Sequence, residues 1–237
     1  NRVLGQYAKE QEKISSEKLR LDTTVYEANI HYPSDSSLLW DSFRTLARLL
    51  QQIQQELPQL ALKHRFHTKK VKKLFLFITR NAASKNKSKK RKIKSTYRKL
   101  IARVNWIADV TRNTLSVLQK AGYEAELLLH YLPIVEKIIS QADQRVFLDI
   151  KLAADEKIYS LFEEHTELLK RGKAGKPIEF GHKVLIAQTG EKFIHHYQVF
   201  PKRQEDKELI KPTLKAHKQL FGTGPDVLAT DKGFYEN

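Results

Sequence analysis

The chain has 237 residues, and 41% of them are hydrophobic, which is enough to bury a substantial core. It contains no cysteine, so disulfides, thiolate nucleophiles and cysteine-based zinc sites are excluded, and carboxylates and histidines remain as candidate metal ligands. The formal net charge of +16 favours a polyanionic partner, and nucleic acid is the commonest partner of this kind.

The N-terminal residues change from a helical to a strand pattern. Apolar side chains recur at loose helical spacing over residues 3–14. Within residues 18–32, Leu19, Leu21 and Thr23 alternate with polar neighbours, which predicts a β-strand. Asp22 falls on the opposite face of that strand from the apolar side chains.

Helical periodicity dominates from residue 38 to about residue 170. Pro33 and the following Ser34-Asp35-Ser36-Ser37 cluster end the strand and offer N-caps for a helix. Apolar side chains at spacings of three and four then predict four helices, which start near Leu39, Leu100, Leu127 and Val146. We predict that the last helix continues through Leu169 and ends at Gly172, so that this block forms a helical bundle.

The strongest charge bias lies within this block. Between Lys63 and Arg103 there are seventeen lysine and arginine residues and no aspartate or glutamate. Residues 74–78 are apolar, which favours a helix with basic flanks, and a solvated or disordered linker over residues 81–92 is the alternative. The residues that we expect to contact phosphates are Lys69, Lys70, Lys72, Lys73, Lys87, Lys89, Lys90, Arg91, Lys92 and Lys94.

The C-terminal part returns to strand patterns. Glycines and a proline between residues 172 and 177 indicate a break. Residues 178–187 and 193–200 have strand-forming composition on either side of a glycine-containing loop, which predicts a hairpin. A helix over 205–221 and a short strand over 226–230 follow. The predicted order is therefore strand, helical block, hairpin, helix and strand.

Two aspartates are associated with strand-like runs. Asp22 occurs in Leu-Arg-Leu-Asp, and Asp231 follows Val-Leu-Ala-Thr. Aspartate is disfavoured in and beside strands, and such local violations are typical of functional sites. Carboxylates at strand ends are the ligands of divalent-metal sites for phosphoryl transfer. The alternative is that Asp22 faces solvent and Asp231 forms a turn before Lys232 and Gly233.

Three segments resemble the DDE transposases of bacterial insertion sequences. They are DTTVYEANIHYPSDSSLL (residues 22–39), FGHKVLIA (180–187) and VLATDKGFY (227–235). The resemblance implies an α/β fold, an α+β mixed sheet with a ribonuclease-H-like core and a large helical insertion between its first and second strands. The implied domains are an N-terminal helix and first core strand (1–37), a strongly basic helical insertion (38–171) and the hairpin, helix and fourth strand of the core (172–237).

The resemblance also implies the site. Asp22 and Asp231 match the first two acids of the family, which are catalytic and hold Mg²⁺ or Mn²⁺ in a two-metal site for DNA cleavage and strand transfer. The family's third acid is a glutamate on a helix well downstream, and Glu236 is too near Asp231 in sequence to replace it. We therefore expect the chain to be part of a longer transposase and to be inactive without that glutamate.

The partners implied by the resemblance are double-stranded DNA at the terminal inverted repeats of a mobile element and at its target, and a homodimer within the DNA complex is an arrangement that it allows. The sequence shows no apolar run of membrane-spanning length and no signal-peptide pattern, so we predict a cytoplasmic, nucleoid-associated protein without a membrane partner. The competing interpretation is a non-catalytic helical nucleic-acid-binding protein whose two aspartates are structural.

Histidines give weaker indications of a metal site. His64 and His67, and the pair His195 and His196, lack the further ligands that a zinc site needs, so surface or partly buried side chains explain them better. His182 lies in the segment that resembles the family's second strand, and we expect it near the site without a defined role.

Overall fold

Strand and helix patterns alternate along the chain, and the structure sorts them into two units. The computed structural model describes residues 2–173, 175–202 and 204–235. One unit, here called the sheet unit, combines Asn1–Asn29 with His165–Asn237, and the other, the helical unit, is Ile30–Glu164. Within the described residues these units contain six α-helices and a five-stranded mixed sheet.

The elements have the following bounds in chain order. They are α1 (Arg2–Glu10), β1 (Lys18–Glu27), α2 (Asp35–Glu56), α3 (Thr68–Asn81), α4 (Lys87–Lys120), α5 (Glu126–Phe147), β2 (Glu167–Lys173), β3 (Lys176–Thr189), β4 (Ile194–Val199), α6 (Ile210–Phe221) and β5 (Val227–Ala229). No helix in the described ranges combines the length and the apolar character needed to span a membrane.

The sheet is organised around β1 and β3. β3 pairs antiparallel with β1 along one edge, and β2 and β4 pair antiparallel with successive parts of β3 on its other edge. β5 pairs parallel with β1, which gives the order β2-β3-β1-β5 with β4 beside β3. The sequence therefore predicted the order of β1, the helical block, the β3–β4 hairpin, α6 and β5 correctly, but it missed β2.

The alternation of apolar and polar side chains along β1 decides which face of the sheet is buried. Leu19 and Leu21 are each 1% exposed, whereas Asp22 between Leu21 and Thr23 is half-buried. The buried face forms one apolar cluster, made of Leu19, Leu21, Leu185, Ala187, Phe200, Leu209 and Phe234. Ile210 and Leu214 of α6 pack against this cluster, so α6 covers the face opposite Asp22.

The helical unit begins with a capped helix, as the serine cluster predicts. Ser34 accepts a hydrogen bond from the Ser37 backbone N–H, and the Ser37 hydroxyl bonds back to the Ser34 backbone, which satisfies N–H groups that the first turn leaves free. The apolar face of α2 packs into a core shared with α4 and α5. α5 runs unbroken through Pro133, which lacks the N–H for one intrahelical bond.

Both tryptophans belong to the helical unit and pack on aromatic rings. Trp40 of α2 stacks on Phe75 of α3, with ring centroids 6.0 Å apart and planes 9° from parallel. Trp106 of α4 lies 6.0 Å from the ring of Phe66. These contacts extend the apolar core under α3 and α4.

The predicted last helix of the block is wrong over most of its length. α5 ends at Phe147, and Asp149 adopts a positive φ of 55°, which helical backbone does not allow. Leu168 and Leu169 lie in β2, where they pair with Phe180 and Glu179 of β3. The helical unit accordingly ends at Glu164, short of the limit at residue 171 that the apolar spacing suggested.

Other boundaries differ by a few residues. The first helix ends at Glu10 and β1 ends at Glu27, both earlier than the sequence patterns indicate. α4 begins at Lys87, well before the apolar stripe near Leu100, so helix occupies most of the segment for which a disordered linker was the alternative.

Candidate metal site and nucleic-acid interface

Of the two aspartates singled out by the sequence, Asp22 lies in β1, and Asp231 lies two residues beyond the end of β5, the parallel neighbour of β1. β1 and β5 pair in the register Lys18 with Val227, through Arg20 with Ala229. Arg20 pairs with Ala229, and Asp22 and Asp231 each follow two residues later in their own segments. The backbone of Asp231 remains extended, with φ −74° and ψ 165°. Adjacent strands lie about 4.8 Å apart, so the same register continued for two more residues would put the two aspartates side by side.

Both carboxylates are accessible. The side chain of Asp22 is 48% exposed, and Asp231 is exposed. An Arg20 guanidinium nitrogen lies 3.8 Å from Asp22 Oδ2, and the Arg20 side chain is itself 64% exposed. An ion pair this exposed and this long contributes at most about 1 kcal/mol, so Arg20 does not block a cation from Asp22.

Within residues 2–173, 175–202 and 204–235, no group of three or more histidine, aspartate or glutamate side chains is arranged to hold a metal ion. Glu236 lies outside the described residues. Two hard oxygen ligands suit Mg²⁺ or Mn²⁺, and they hold such a cation only weakly on their own.

His182 lies on the same face of the sheet as Asp22 but farther along it. In the pairing of β1 with β3, Asp22 is opposite Ile186 and Tyr26 is opposite His182. Four residues of strand separate Ile186 from His182, or about 13 Å. His182 is therefore a neighbour on this face rather than a ligand together with Asp22.

The predicted phosphate contacts lie on a helical hairpin formed by α3 and α4. All ten of the predicted residues are exposed. None of them forms an ion pair with a carboxylate in the part of the chain that the structure describes. Before Leu100, the first buried residue of α4, Ile93 and Tyr97 pack partly against the core, while the basic side chains of these turns remain exposed and available to a polyanion.

The start of α4 has further features that favour an anion. Asn86 caps the helix by accepting hydrogen bonds from the backbone N–H groups of Ser88 and Lys89. The first turn contains no acidic residue, so the positive end of the helix dipole adds to the lysine charges. Lys94 differs from the rest because its ammonium group lies 5.6 Å from the centre of the Phe147 ring.

Comparison of the chain with protein-family models, with curated proteins and with solved structures finds no match. The geometry of the two aspartates and of the basic hairpin therefore carries the functional argument.

Sequence reasoning missed a buried pair of histidines in the sheet unit. His195 of β4 is 7% exposed and His217 of α6 is 0% exposed. His217 Nε2 lies 3.1 Å from the Ser16 carbonyl oxygen, which can only accept, so this nitrogen carries the proton. Neutral His217 then accepts at Nδ1 from His195 Nε2, 3.3 Å away. The only available signal was the position of His217 on the apolar face of α6.

Burial sets the ionisation of this pair. It lowers the pKa of His195 to about 4, with smaller contributions from the imidazoles of His217 and His196. The pKa of His217 is lowered by burial as well, against the opposing effect of its bond to Ser16. Both histidines are therefore neutral at pH 7, and the pair is a structural connection between β4 and α6.

Two buried acids of the helical unit are structural rather than catalytic. Asp35 lies 3.2 Å from an Arg145 guanidinium nitrogen, and Asp41 accepts from Arg44 at 2.8 Å and lies 3.3 Å from His31. Burial raises the pKa of both carboxyl groups, and the arginines oppose it. Each acid has a basic partner, which is what burial of a charge requires.

Proposed function

We propose that the chain contains the catalytic core of a DDE-type transposase, which cleaves DNA and joins strands at the ends of a mobile element with the help of Mg²⁺ or Mn²⁺. One observation carries the proposal. Asp22 and Asp231 are far apart in sequence, yet β1, which carries Asp22, pairs in parallel with β5, which ends two residues before Asp231.

The order of the sheet supports a ribonuclease-H-like core. β1 carries the first acid, the β3–β4 hairpin and α6 follow, and β5 returns parallel to β1 and leads to the second acid. The helical unit occupies the sequence between β1 and β2, where the resemblance places an insertion.

The residues of this chain would act by holding and orienting a cation. Asp22 and Asp231 supply hard oxygen ligands, and Arg20 is close enough to exchange its contact with Asp22 for one with a substrate phosphate. When bound, a pair of divalent cations activates the attacking oxygen and stabilises the leaving oxygen of an in-line displacement. A third carboxylate, which the resemblance implies, would complete the site.

The basic hairpin supports DNA as the substrate. Its exposed lysines and arginines neutralise phosphates without reading bases, which suits an enzyme whose chemistry is on the DNA backbone.

Binding of Mn²⁺ tests the proposal. We expect the protein to bind titrated Mn²⁺, followed by loss of the free-ion electron paramagnetic resonance signal. We expect Asp22→Asn and Asp231→Asn each to weaken binding by about tenfold or more, because each removes a hard ligand. Asp226→Asn is a matched control, since Asp226 is an exposed acid at the other end of β5. Equal binding by all four proteins would contradict the proposal.

DNA cleavage gives a second measurement. Any Mg²⁺- or Mn²⁺-dependent nicking of supercoiled plasmid is expected to disappear in Asp231→Ala. Nicking that persists in this variant would assign catalysis to other residues.

The second candidate function is a non-catalytic nucleic-acid-binding protein. The Arg20–Asp22 ion pair favours it, because Asp22 then has a partner without a metal. Retention of full DNA affinity together with absence of Mn²⁺ binding would select this function.

A further inference from the structure

The segment after Asp231 is fixed to the buried face of the sheet. Residues Lys232–Phe234 form a single 3₁₀ turn, in which the Phe234 backbone N–H donates to the Asp231 carbonyl oxygen at 3.1 Å. The Phe234 side chain is 3% exposed and packs in the apolar cluster with Leu21 and Leu209. An exposed acid is thus followed, three residues later, by a core anchor.

Gly233 lies directly against the carboxylate of Asp206. A Cβ atom at position 233 would be 2.8 Å from Asp206 Oδ2, which is closer than a Cβ atom approaches a heavy atom that is not bonded to it. Only glycine therefore allows the turn to lie this close to Asp206. The contact joins the turn after β5 to the 3₁₀ turn Asp206–Leu209 that precedes α6.

The Asp206 carboxylate is not free to move away from Gly233. It forms an ion pair with the ammonium group of Lys183, whose side chain is only 10% exposed. Lys183 also donates to the Gln204 carbonyl oxygen at 2.7 Å. On β3, Lys183 is opposite Val25 of β1, on the face that is buried rather than the face of Asp22.

We propose that Lys183 and Asp206 are positioning residues for the metal site, which act by holding the turn at Gly233 and thereby the backbone of Asp231. This inference rests on the proposed function of Asp22 and Asp231. Lys183 lies on the buried face of the sheet, so its ion pair with Asp206 acts by fixing the surface on which the Asp231 turn lies. A metal site requires that each ligand is held rigidly, because a small displacement of one carboxylate prevents both carboxylates from coordinating the same cation.

A purely structural role for the buried ion pair is the competing explanation. It predicts that changes at Lys183, Asp206 or Gly233 lower stability and leave the affinity of the folded protein for Mn²⁺ unchanged. The positioning role predicts a weaker affinity in protein that remains folded. The two are separated when Mn²⁺ binding is measured on variants whose folding is checked by circular dichroism and thermal unfolding.

The first variant is Gly233→Ala, which places a methyl group against Asp206. We expect Mn²⁺ binding to weaken by about tenfold, as for other residues that support metal ligands. Gly224→Ala is the matched control, because Gly224 lies in the loop before β5 with no atom within 4 Å of an added Cβ. It is expected to bind Mn²⁺ as the wild type does.

The second variant is the double substitution Lys183→Met and Asp206→Asn, which removes both charges together and so leaves no unpaired buried ion. We expect the same loss of affinity. Adding Gly233→Ala to this double variant should cause less further loss than it causes in the wild type, because the asparagine is no longer held by Lys183. The control is Lys207→Met with Glu205→Gln, an exposed ion pair in the same segment.

The outcomes distinguish this inference from the proposed function. If Asp231→Asn weakens Mn²⁺ binding but Gly233→Ala and the double variant bind as the wild type does, the positioning role is wrong and the metal site stands. If Asp22→Asn and Asp231→Asn both bind as the wild type does, the metal site itself is wrong. Should Gly233→Ala fail to fold, the double variant alone decides.

Discussion

At the scale of single residues, His195 shows how burial controls ionisation in the sheet unit. Its Nε2 donates to His217, and His217 donates to a carbonyl, so each proton in the chain of hydrogen bonds has one position. An added proton would place a charge on a largely buried side chain. Burial therefore lowers the pKa of His195 from 6.5 to about 4.

We predict that the sheet unit loses stability as the pH falls from about 6.5 to about 4. In that window the unfolded chain binds a proton at His195 that the native protein does not bind, so acid favours unfolding. His195→Gln keeps an amide N–H donor and removes the titration. The free energy of unfolding, obtained from urea titrations at several pH values, should therefore depend less on pH in this variant.

The control for this prediction is His130→Gln, at an exposed histidine of α5. It keeps the buried pair of His195 and His217, so the loss of stability in acid should remain. An equal pH dependence in wild type and His195→Gln would show that His195 titrates normally.

Gly181 is a second residue whose identity is dictated by its surroundings. Its φ of +159° is uncommon for other residues, and an added Cβ would lie 2.0 Å from the Tyr26 carbonyl oxygen. We predict that Gly181→Ala destabilises the protein by about 3 kcal/mol, because the backbones of β1 and β3 must separate. The measurement is the urea midpoint compared with that of Gly224→Ala, and a midpoint equal to that control would contradict the steric explanation.

Single residues also show which parts of the site could be predicted from the sequence. The alternation of Leu19, Leu21 and Thr23 predicted correctly that Asp22 lies on the less buried face, because alternation is a local property of a strand. The partnership of Lys183 with Asp206 could not be predicted. It depends on contacts between elements distant in sequence, and a lone lysine in a strand gives no signal of burial.

At the scale of elements, the hairpin of α3 and α4 is held by its apolar side and presents its basic side. Val71 and Ile78 are the buried residues of α3, while the lysines between them are exposed. Before Leu100, α4 is helical without any buried residue. Its lysines and arginines are good helix formers, and the Asn86 cap supports the first turn.

We predict that this hairpin binds double-stranded DNA with steep salt dependence and little sequence preference. Each neutralised phosphate contributes about −0.9 to the slope of log affinity against log salt concentration. Replacing Lys89, Lys90, Arg91 and Lys92 by glutamine should therefore flatten the slope by about 2 to 4 units, measured by fluorescence anisotropy of labelled duplexes.

The matched control replaces four exposed lysines of the sheet unit, Lys202, Lys211, Lys215 and Lys218, by glutamine. It removes the same net charge away from the hairpin. If both variants change the slope equally, the effect is one of overall charge and the hairpin is not the binding surface.

The elements also show why local periodicity fails. The apolar residues from Val146 to Leu169 fit helical spacing, yet residues 167–173 form β2 because β3 offers an antiparallel partner. The pairing of β2 with β3 outweighs the local preference of these residues for a helix. The start of α4 was missed because few apolar residues mark it: Ile93 and Tyr97 pack partly against the core, and the basic residues around them are exposed.

At the scale of the whole molecule, the sheet unit is discontinuous in sequence. β1 lies before the helical unit, whereas its partners β3 and β5 lie after it. Pairing β1 with β3 therefore closes a loop that contains the complete helical unit. The helical unit is continuous, and its contacts are more local, which favours rapid folding.

We predict that the helical unit folds before the sheet unit. In pulse-labelling hydrogen exchange during refolding, amides of α2, α4 and α5 should become protected before those of β1 and β3. Simultaneous protection of both sets would show that the two units fold as one cooperative body.

The stacking of Trp40 on Phe75 has a practical consequence for fluorescence. Both tryptophans of the chain belong to the helical unit, so tryptophan emission originates in that unit alone. Phe75 belongs to α3, the helix that carries four of the proposed phosphate contacts, so a duplex that shifts α3 will change the surroundings of the Trp40 indole. Emission thus offers a label-free signal for DNA at the hairpin, while tyrosine and phenylalanine are the native chromophores of the sheet unit.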